Sequence, residues 1–417
     1  MMTISKLPRF YVYLQHPHTG DWVTVGRWEL LEADTRGTFR YAPSYLASGA
    51  TLAIDPVNLP NVVDTRYVSH RYQGLHDVLR DASPDAWGRL VLQHKHGFVD
   101  GTPDYKYLLA SSNGDRWGAL AVGTQPKPSP ANLNSPRLPQ LDLLTEELLA
   151  IHERRAPVSA SLRRTLLNSA GLGGARPKTT LHDGTTFWLI KPHLSSDTLD
   201  VPRLEHAAMT WGHAAGMNFA QSRHHQVKGG LSVVAVKRFD RVDTRRVMTL
   251  SAASLLSTEY PNGHERALWS YPLLAQMLIR IGAPKEDAME LFDRMVFNAI
   301  VGNDDDHPRN HAAIYGAADK RWRLSPAFDV VPEPSDETPG FLSMQLSLGR
   351  FDISRDAVLA NCEQFGHKDR RAAAVHLDAL LARIEAAFPR ELDLPGELET
   401  LLRNRLATGL ARLSAAK

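Results

Sequence analysis

The chain reads as an α+β protein of more than one domain. Three features of its 417 residues carry that reading: strand-like alternation at the start, a mixed stretch in the middle and helical spacing toward the end. RFYVYLQ (9–15) and DWVTVGRWEL (21–30) alternate with period two around the turn HTGD, a hairpin signal. Helical spacing follows at about 72–96 and 104–111. The segment 124–140 then has five prolines in seventeen positions, which sustains neither helix nor central strand and marks a connection between domains or subdomains. LDLLTEELLAIHER (141–154) and LEHAAMTWGHAAG (204–216) have helical spacing, and LSVVAVKRFDR (231–241) is a β-branched strand with a charged end. Beyond about 262 helices dominate. Phe292, Met295, Val296, Ala299 and Ile300 form a core-facing stripe that stops at Gly302, a helix C-terminus signal. No internal repeat is present.

A prior of roughly 100–200 residues per domain allows two or three domains and a sizeable core. The chain is 43% hydrophobic and 23% charged, as soluble globular proteins are. Lys and Arg number 48 against 46 Asp and Glu, so no global field favours nucleic acid or an anionic membrane, and any basic site must be local. Cys362 is the single cysteine; it excludes an internal disulfide and fits a reducing compartment. The opening residues lack a signal-peptide apolar core, and no run of about 18 apolar residues occurs. A cytoplasmic location without membrane contact is expected.

The chemistry concentrates in a few motifs. GLGGARPK (171–178) offers unobstructed backbone amides, with Arg176 and Lys178 adding positive charge; it is either a phosphate-covering loop or a plain turn, and not a Walker A sequence. Lys191 ends the apolar strand FWLIK and is either an edge residue reaching solvent or a cation placed over phosphates. Protein kinases order a glycine loop, a strand lysine and a helical glutamate that orients it. Glu205 opens a helical pattern in the right place, although a solvated acid at a helix start would look the same. The stretch GNDDDHPRN (302–310) then supplies the D-x-x-x-x-N spacing of a kinase catalytic loop, with Asp305 as hydroxyl base and Asn310 as magnesium ligand. Asp329 follows Phe328 nineteen residues beyond Asn310, room for two short strands and a turn, and is the second metal ligand. An exposed turn is the alternative for the acidic run, but three anions at the negative end of a helix cost a few tenths to about 1 kcal/mol each without a counter-cation. No partner stands at zinc spacing from His307, which leaves it a loop-orienting role.

FRYAPSYLA (39–47), DASPDAWGR (81–89), GGARPK (173–178), WLIKPH (188–193), VKRFDR (236–241), GNDDDHPRN and LSPAFDVVP (324–332) occur in an order that resembles the HipA family of toxin kinases from bacterial toxin–antitoxin systems. The resemblance implies a bilobal protein-kinase-like fold, with an N-terminal α/β part carrying a β-rich subdomain and an all-helical C-terminal part. The division expected is 1–123 for the β-rich subdomain, 124–140 for the connection, 141–255 for the nucleotide-binding subdomain and 256–417 for the helical domain. It also implies ATP and Mg²⁺ as cofactors. Asp305 is then the catalytic base, and Asn310 and Asp329 bind metal. Gly173, Gly174, Ala175, Arg176, Pro177, Lys178, Lys191, His307, Pro308, Arg309, Asn310, Phe328 and Asp329 contact the nucleotide, with the adenine hinge near Leu250–Ala253. Family members often carry an autophosphorylated serine in the glycine loop; that position is Gly171 here, and Ser169 is the nearest hydroxyl.

The function this implies is ATP- and Mg²⁺-dependent phosphorylation of a protein serine or threonine by a growth-arresting toxin. Its target by resemblance is an aminoacyl-tRNA synthetase, and its partner a HipB-like helix-turn-helix antitoxin that reads DNA, so this chain would meet DNA only indirectly. A metal-dependent phosphohydrolase is the second reading. A non-catalytic subunit of a repressor complex is the third, with local basic patches at 160–165 or 238–246.

Overall fold

The computed structural model describes residues 7–32, 35–49, 52–129, 137–169, 171–259, 263–392 and 394–415, so the opening residues 1–6 and the middle of the proline-rich connection lie outside the described residues. Two compact units form: Met1–Leu189 with Asp240–Leu250, and Ile190–Phe239 with Ser251–Lys417. The connection 124–140 therefore joins two parts of one unit.

The first unit is built on an antiparallel sheet in the order β4-β3-β2-β1-β5. Its strands are β1 (Arg9–Gln15), β2 (Trp22–Glu32), β3 (Arg36–Tyr41), β4 (Tyr67–Ser69) and β5 (Leu120–Gly123). The hairpin expected at 18–21 is present, with Gln15 opposite Trp22. Period two turns Phe10, Val12 and Leu14 into the core, where Phe10 stacks on Trp28 at 4.8 Å. Beyond the short α1 (Pro43–Ala47), the helix expected over 72–96 is broken into α2 (Asp77–Asp81) and α3 (Ala86–His96). Two local causes account for this. Tyr72, Gln73 and Gly74 are left-handed (φ 46°, 56° and 93°), with the Gly74 carbonyl accepting from the buried Trp28 indole at 2.9 Å, and Pro84 has no N–H to continue a helix. The helix expected at 104–111 is α4 (Asp104–Ala110), and α5 (Leu141–His152), α6 (Ala160–Asn168), β6 (Thr179–Asp183) and β7 (Thr186–Pro192) follow, the chain leaving this unit partway along β7.

Arg116 is the polar centre of this unit. It is fully buried away from water, and burial lowers its pKa to about 9. Its guanidinium is satisfied instead by the carbonyls of Ala82 (2.6 Å), Leu108 (3.0 Å) and Ser111 (3.2 Å) and by the Asn113 amide oxygen. The returning segment 240–250, with β10 (Arg241–Val242), β11 (Arg245–Arg246) and the start of β12 (Thr249–Ser251), completes the same region. Arg241 donates to the Arg116 carbonyl at 2.6 Å, Arg246 to the Gly114 carbonyl at 2.9 Å, and the Asp240 carboxylate accepts the Gly118 N–H at 2.8 Å.

The second unit contains α7 (Val201–Ala214), β8 (Ser222–Gln226), β9 (Ser232–Lys237), α8 (Ala252–Leu255), α9 (Tyr271–Arg280) and α10 (Lys285–Val301). The hairpin β13 (Ala312–Gly316) with β14 (Arg321–Leu324) follows, then α11 (Arg355–Ala360), α12 (Arg370–Ala386) and α13 (Gly396–Leu413). Beyond residue 256 the described residues are mostly helical, with one hairpin and an irregular segment over 325–354, rather than all-helical. The α10 stripe is buried as expected, and the helix ends at Gly302 in the left-handed conformation (φ 71°). Trp211 of α7 packs edge-on against Phe297 and Phe388 and donates its indole N–H to the Ile384 carbonyl at 2.8 Å, which ties α7 to α10 and α12. No helix among the described residues is long and apolar enough to cross a membrane.

Replacing Arg116 by Lys keeps the charge and strands several carbonyls. It should lower the stability of the first unit by about 3 kcal/mol, read as an earlier urea midpoint in unfolding followed by tryptophan fluorescence.

Candidate active site

Lys191 stands near the end of β7 in the second unit, where the sequence left a solvent-facing lysine open. It is buried, and so is Glu205 on α7. The ammonium donates to Glu205 Oε1 at 2.7 Å and to the Asp329 carboxylate. Burial opposes its charge, but the two carboxylates more than reverse this, and the pKa lies above the ordinary lysine value. Asp329 reaches the lysine from a strained backbone, with φ 58° in the left-handed region. The segment before it is held rigidly. Ala327 exchanges backbone hydrogen bonds with Asn218 (2.8 Å) and Ala220 (2.9 Å), and buried Arg294 donates to the Ser325 carbonyl at 2.7 Å. Phe328 lies against Phe239, ring centroids 5.1 Å apart.

The aspartate run divides into three environments. Asp306 is buried, accepting from the Tyr271 hydroxyl and pairing with His311 Nε2 at 2.6 Å, while Asn298 donates to the Tyr271 oxygen at 2.9 Å. Asp304 is half-buried, and its carbonyl accepts from Ser343 Oγ at 2.7 Å. Asp305 alone is exposed. Its carbonyl accepts from the His307 N–H (2.9 Å) and from Asn310 Nδ2 (3.0 Å), closing the turn around it. Crowding by protein atoms, then the carboxylates of Asp329, Asp304 and Glu333, push its pKa up to about 6. His307 caps the short turn Pro308–Asn310 by accepting from the Arg309 N–H at 3.3 Å, and burial lowers its pKa to about 4.

Asn310 commits its amide nitrogen to the Asp305 carbonyl, which leaves its oxygen as one hard donor, and the Asp329 carboxylate offers another. The Lys191 ammonium already rests on Asp329, so that carboxylate takes a cation. Among the described residues no three His, Cys, Asp or Glu side chains converge on one metal position. A Mg²⁺ ion is commonly held by one or two protein ligands plus substrate phosphates, and this donor set fits that mode.

The glycine loop belongs to the first unit. Gly174 is left-handed (φ 89°), and an added Cβ would collide with the Lys178 ammonium. Ala175 is exposed, Arg176 half-buried, and Pro177 and Lys178 buried. At Gly171 a Cβ would come 3.1 Å from the Ser112 carbonyl oxygen and 3.2 Å from the Arg116 nitrogen, so a serine there would crowd the backbone. Ser169 caps the end of α6, its hydroxyl donating to the Leu166 carbonyl at 3.1 Å. The second unit thus brings together Lys191, Glu205, Asp329, Phe328, Asp305, His307 and Asn310. Sequence reasoning missed Asp306, Tyr271 and His311 as the anchor of the loop, since tyrosine and aspartate 35 residues apart carry no spacing signal.

The two units, one built on an antiparallel sheet and the other mostly helical, make this an α+β protein. A HipA from Shewanella oneidensis MR-1, solved with HipB and operator DNA, superposes with a TM-score of 0.70 over 97% of this chain and 96% of that one, at 16% identity. Residues 170–388, over half of the chain, match the HipA-like C-terminal domain, and the protein belongs to that family. The Sinorhizobium fredii protein named "Putative kinase Y4dM" is 31% identical over 156 residues, 34% of this chain; the chain spans 37% of that relative. A Helicobacter pylori proinflammatory kinase, CtkA, aligns with 58% of this chain and 90% of that one at 15% identity and a TM-score of 0.45.

Replacing Asp306 by Ala should cost about 3–5 kcal/mol by leaving Tyr271 and His311 without their buried acceptor, read as a lowered melting temperature.

Proposed function

We propose that the protein is an ATP- and Mg²⁺-dependent serine/threonine kinase acting in the cytoplasm as the toxin of a toxin–antitoxin module. The observation that carries this is the buried Lys191 between Glu205 and Asp329, in the same unit as Asp305 and Asn310. A phosphohydrolase has no need of a lysine oriented by a glutamate. A binding-only subunit has no need to bury a lysine and a glutamate beside a third, half-exposed carboxylate.

In this reading Asp305 accepts the proton of the acceptor hydroxyl as its oxygen bonds to the γ-phosphorus and the bond to the ADP oxygen breaks. Lys191, held by Glu205, would place its positive charge on the nucleotide phosphates. Asn310 and Asp329 would hold Mg²⁺, which when bound neutralises phosphate charge. The turn that fixes the Asp305 backbone through Asn310 and His307 orients the base. The loop 173–178 would cover the phosphates, and with Gly171 in the usual serine position, Ser169 is the candidate for any self-phosphorylation.

The partner would be a HipB-like helix-turn-helix antitoxin, a reading supported by the Shewanella neighbour having been solved with HipB and DNA. The acceptor would be a protein, with an aminoacyl-tRNA synthetase as the first to try. Replacing Asp305 by Asn should reduce transfer of labelled γ-phosphate to protein by about 10³-fold while ATP still binds. Undiminished transfer removes Asp305 from its role, and release of free phosphate without any labelled protein favours the hydrolase.

A further inference from the structure

The motif DASPDAWGR has no part in the chemistry described so far, yet its side chains meet the glycine loop within the first unit. Asp85 occupies the N-cap position of the eleven-residue helix α3. An N-cap aspartate normally accepts from the second or third amide of its own helix, an arrangement worth about 1 kcal/mol. Here it makes no such bond. Its Oδ2 instead accepts the Gly174 N–H at 3.3 Å, and its Oδ1 accepts from buried Arg80 at 2.6 Å. The second helical amide, that of Trp87, donates to the Gly174 carbonyl at 2.9 Å. Gly174 therefore exchanges both of its backbone groups with the start of α3. Farther along the loop, the Trp87 indole donates to the Lys178 carbonyl at 2.9 Å. Gly173 must lack a side chain, because a Cβ there would lie 2.6 Å from Asp85 Oδ2.

We infer that Asp85 and Trp87 are positioning residues that anchor the glycine loop at Gly174 and Lys178, leaving the tip 175–177 between two fixed points. Arg80 in turn fixes the carboxylate, and its guanidinium lies 5.6 Å from the Tyr72 ring centre. The helix gives up its own cap to do this. The effect on reaction rests on the proposal that this loop covers ATP phosphates. The anchor itself does not.

Two measurements on the full chain separate these. In protein without nucleotide, Asp85→Ala should raise hydrogen exchange of peptides covering 171–178 about tenfold, the loss of one charge-assisted hydrogen bond. The same variant should raise KM for ATP about tenfold with kcat changed by less than about twofold, the pattern of a binding rather than a chemical defect. Asp85→Asn keeps one acceptor oxygen for the Gly174 N–H but sets an amide nitrogen against Arg80, and should bring both values to between those of Asp85→Ala and of the parent. Unchanged exchange in Asp85→Ala overturns the anchor, as does a fall in kcat at constant KM or a failure of Asp85→Asn to rescue. Faster exchange in Asp85→Ala, in a protein that binds no ATP, supports the anchor and overturns the nucleotide reading.

Discussion

The arrangement of the second unit depends on burying one ammonium. An isolated lysine charge removed from water would shed its proton, and Lys191 keeps it because Glu205 and Asp329 meet it from α7 and from the segment after β14. Two carboxylates on one ammonium leave a net negative charge, and Asp305 and Glu333 add to the local field. Such a site favours further cations. The strained backbone of Asp329 fits this economy, since a left-handed aspartate persists only where its surroundings over-determine it. Arg294 and the 218–220 pairing supply that constraint from below.

Three adjacent aspartates would repel one another on a flexible turn. Here they are distributed by burial. Asp306 points into the unit, where a tyrosine and a histidine satisfy it, and Asp304 is held through its carbonyl. Only Asp305 is left facing solvent, with its pKa raised by the protein atoms crowding it and by the carboxylates of Asp329, Asp304 and Glu333. Fully buried Arg405 of α13 helps to secure this region, donating to the carbonyls of Glu333 (3.0 Å) and Ser335 (2.5 Å) beside Gly302.

Much of this was legible in sequence because it is local. The β1–β2 hairpin, the α10 stripe ending at Gly302 and the short hairpin between Asn310 and Asp329 all follow from periodicity and turn residues within a few positions. The Lys191–Glu205 pair was legible only as an order of motifs. What escaped is what long-range contact decides. The left-handed turn at Tyr72–Gly74 packs against Trp28 across 46 residues, and the burial of Asp306 depends on Tyr271. The return of 240–250 to the first unit escaped as well, because Asp240, Arg241 and Arg246 read as a charged strand end and a candidate surface patch, whereas in the fold they are buried and bonded to residues 113–118.

That return has a consequence for how the chain comes off the ribosome. The first unit is discontinuous, and the carbonyls around Arg116 gain their last donors only when residues 241–246 have been made. At roughly 5–20 residues per second, translation of the intervening fifty-odd residues occupies several seconds. During that interval the nascent N-terminal portion is unfinished, exposed to chaperones and proteases. Completion of the first unit is thereby deferred until more than half of the polypeptide has emerged.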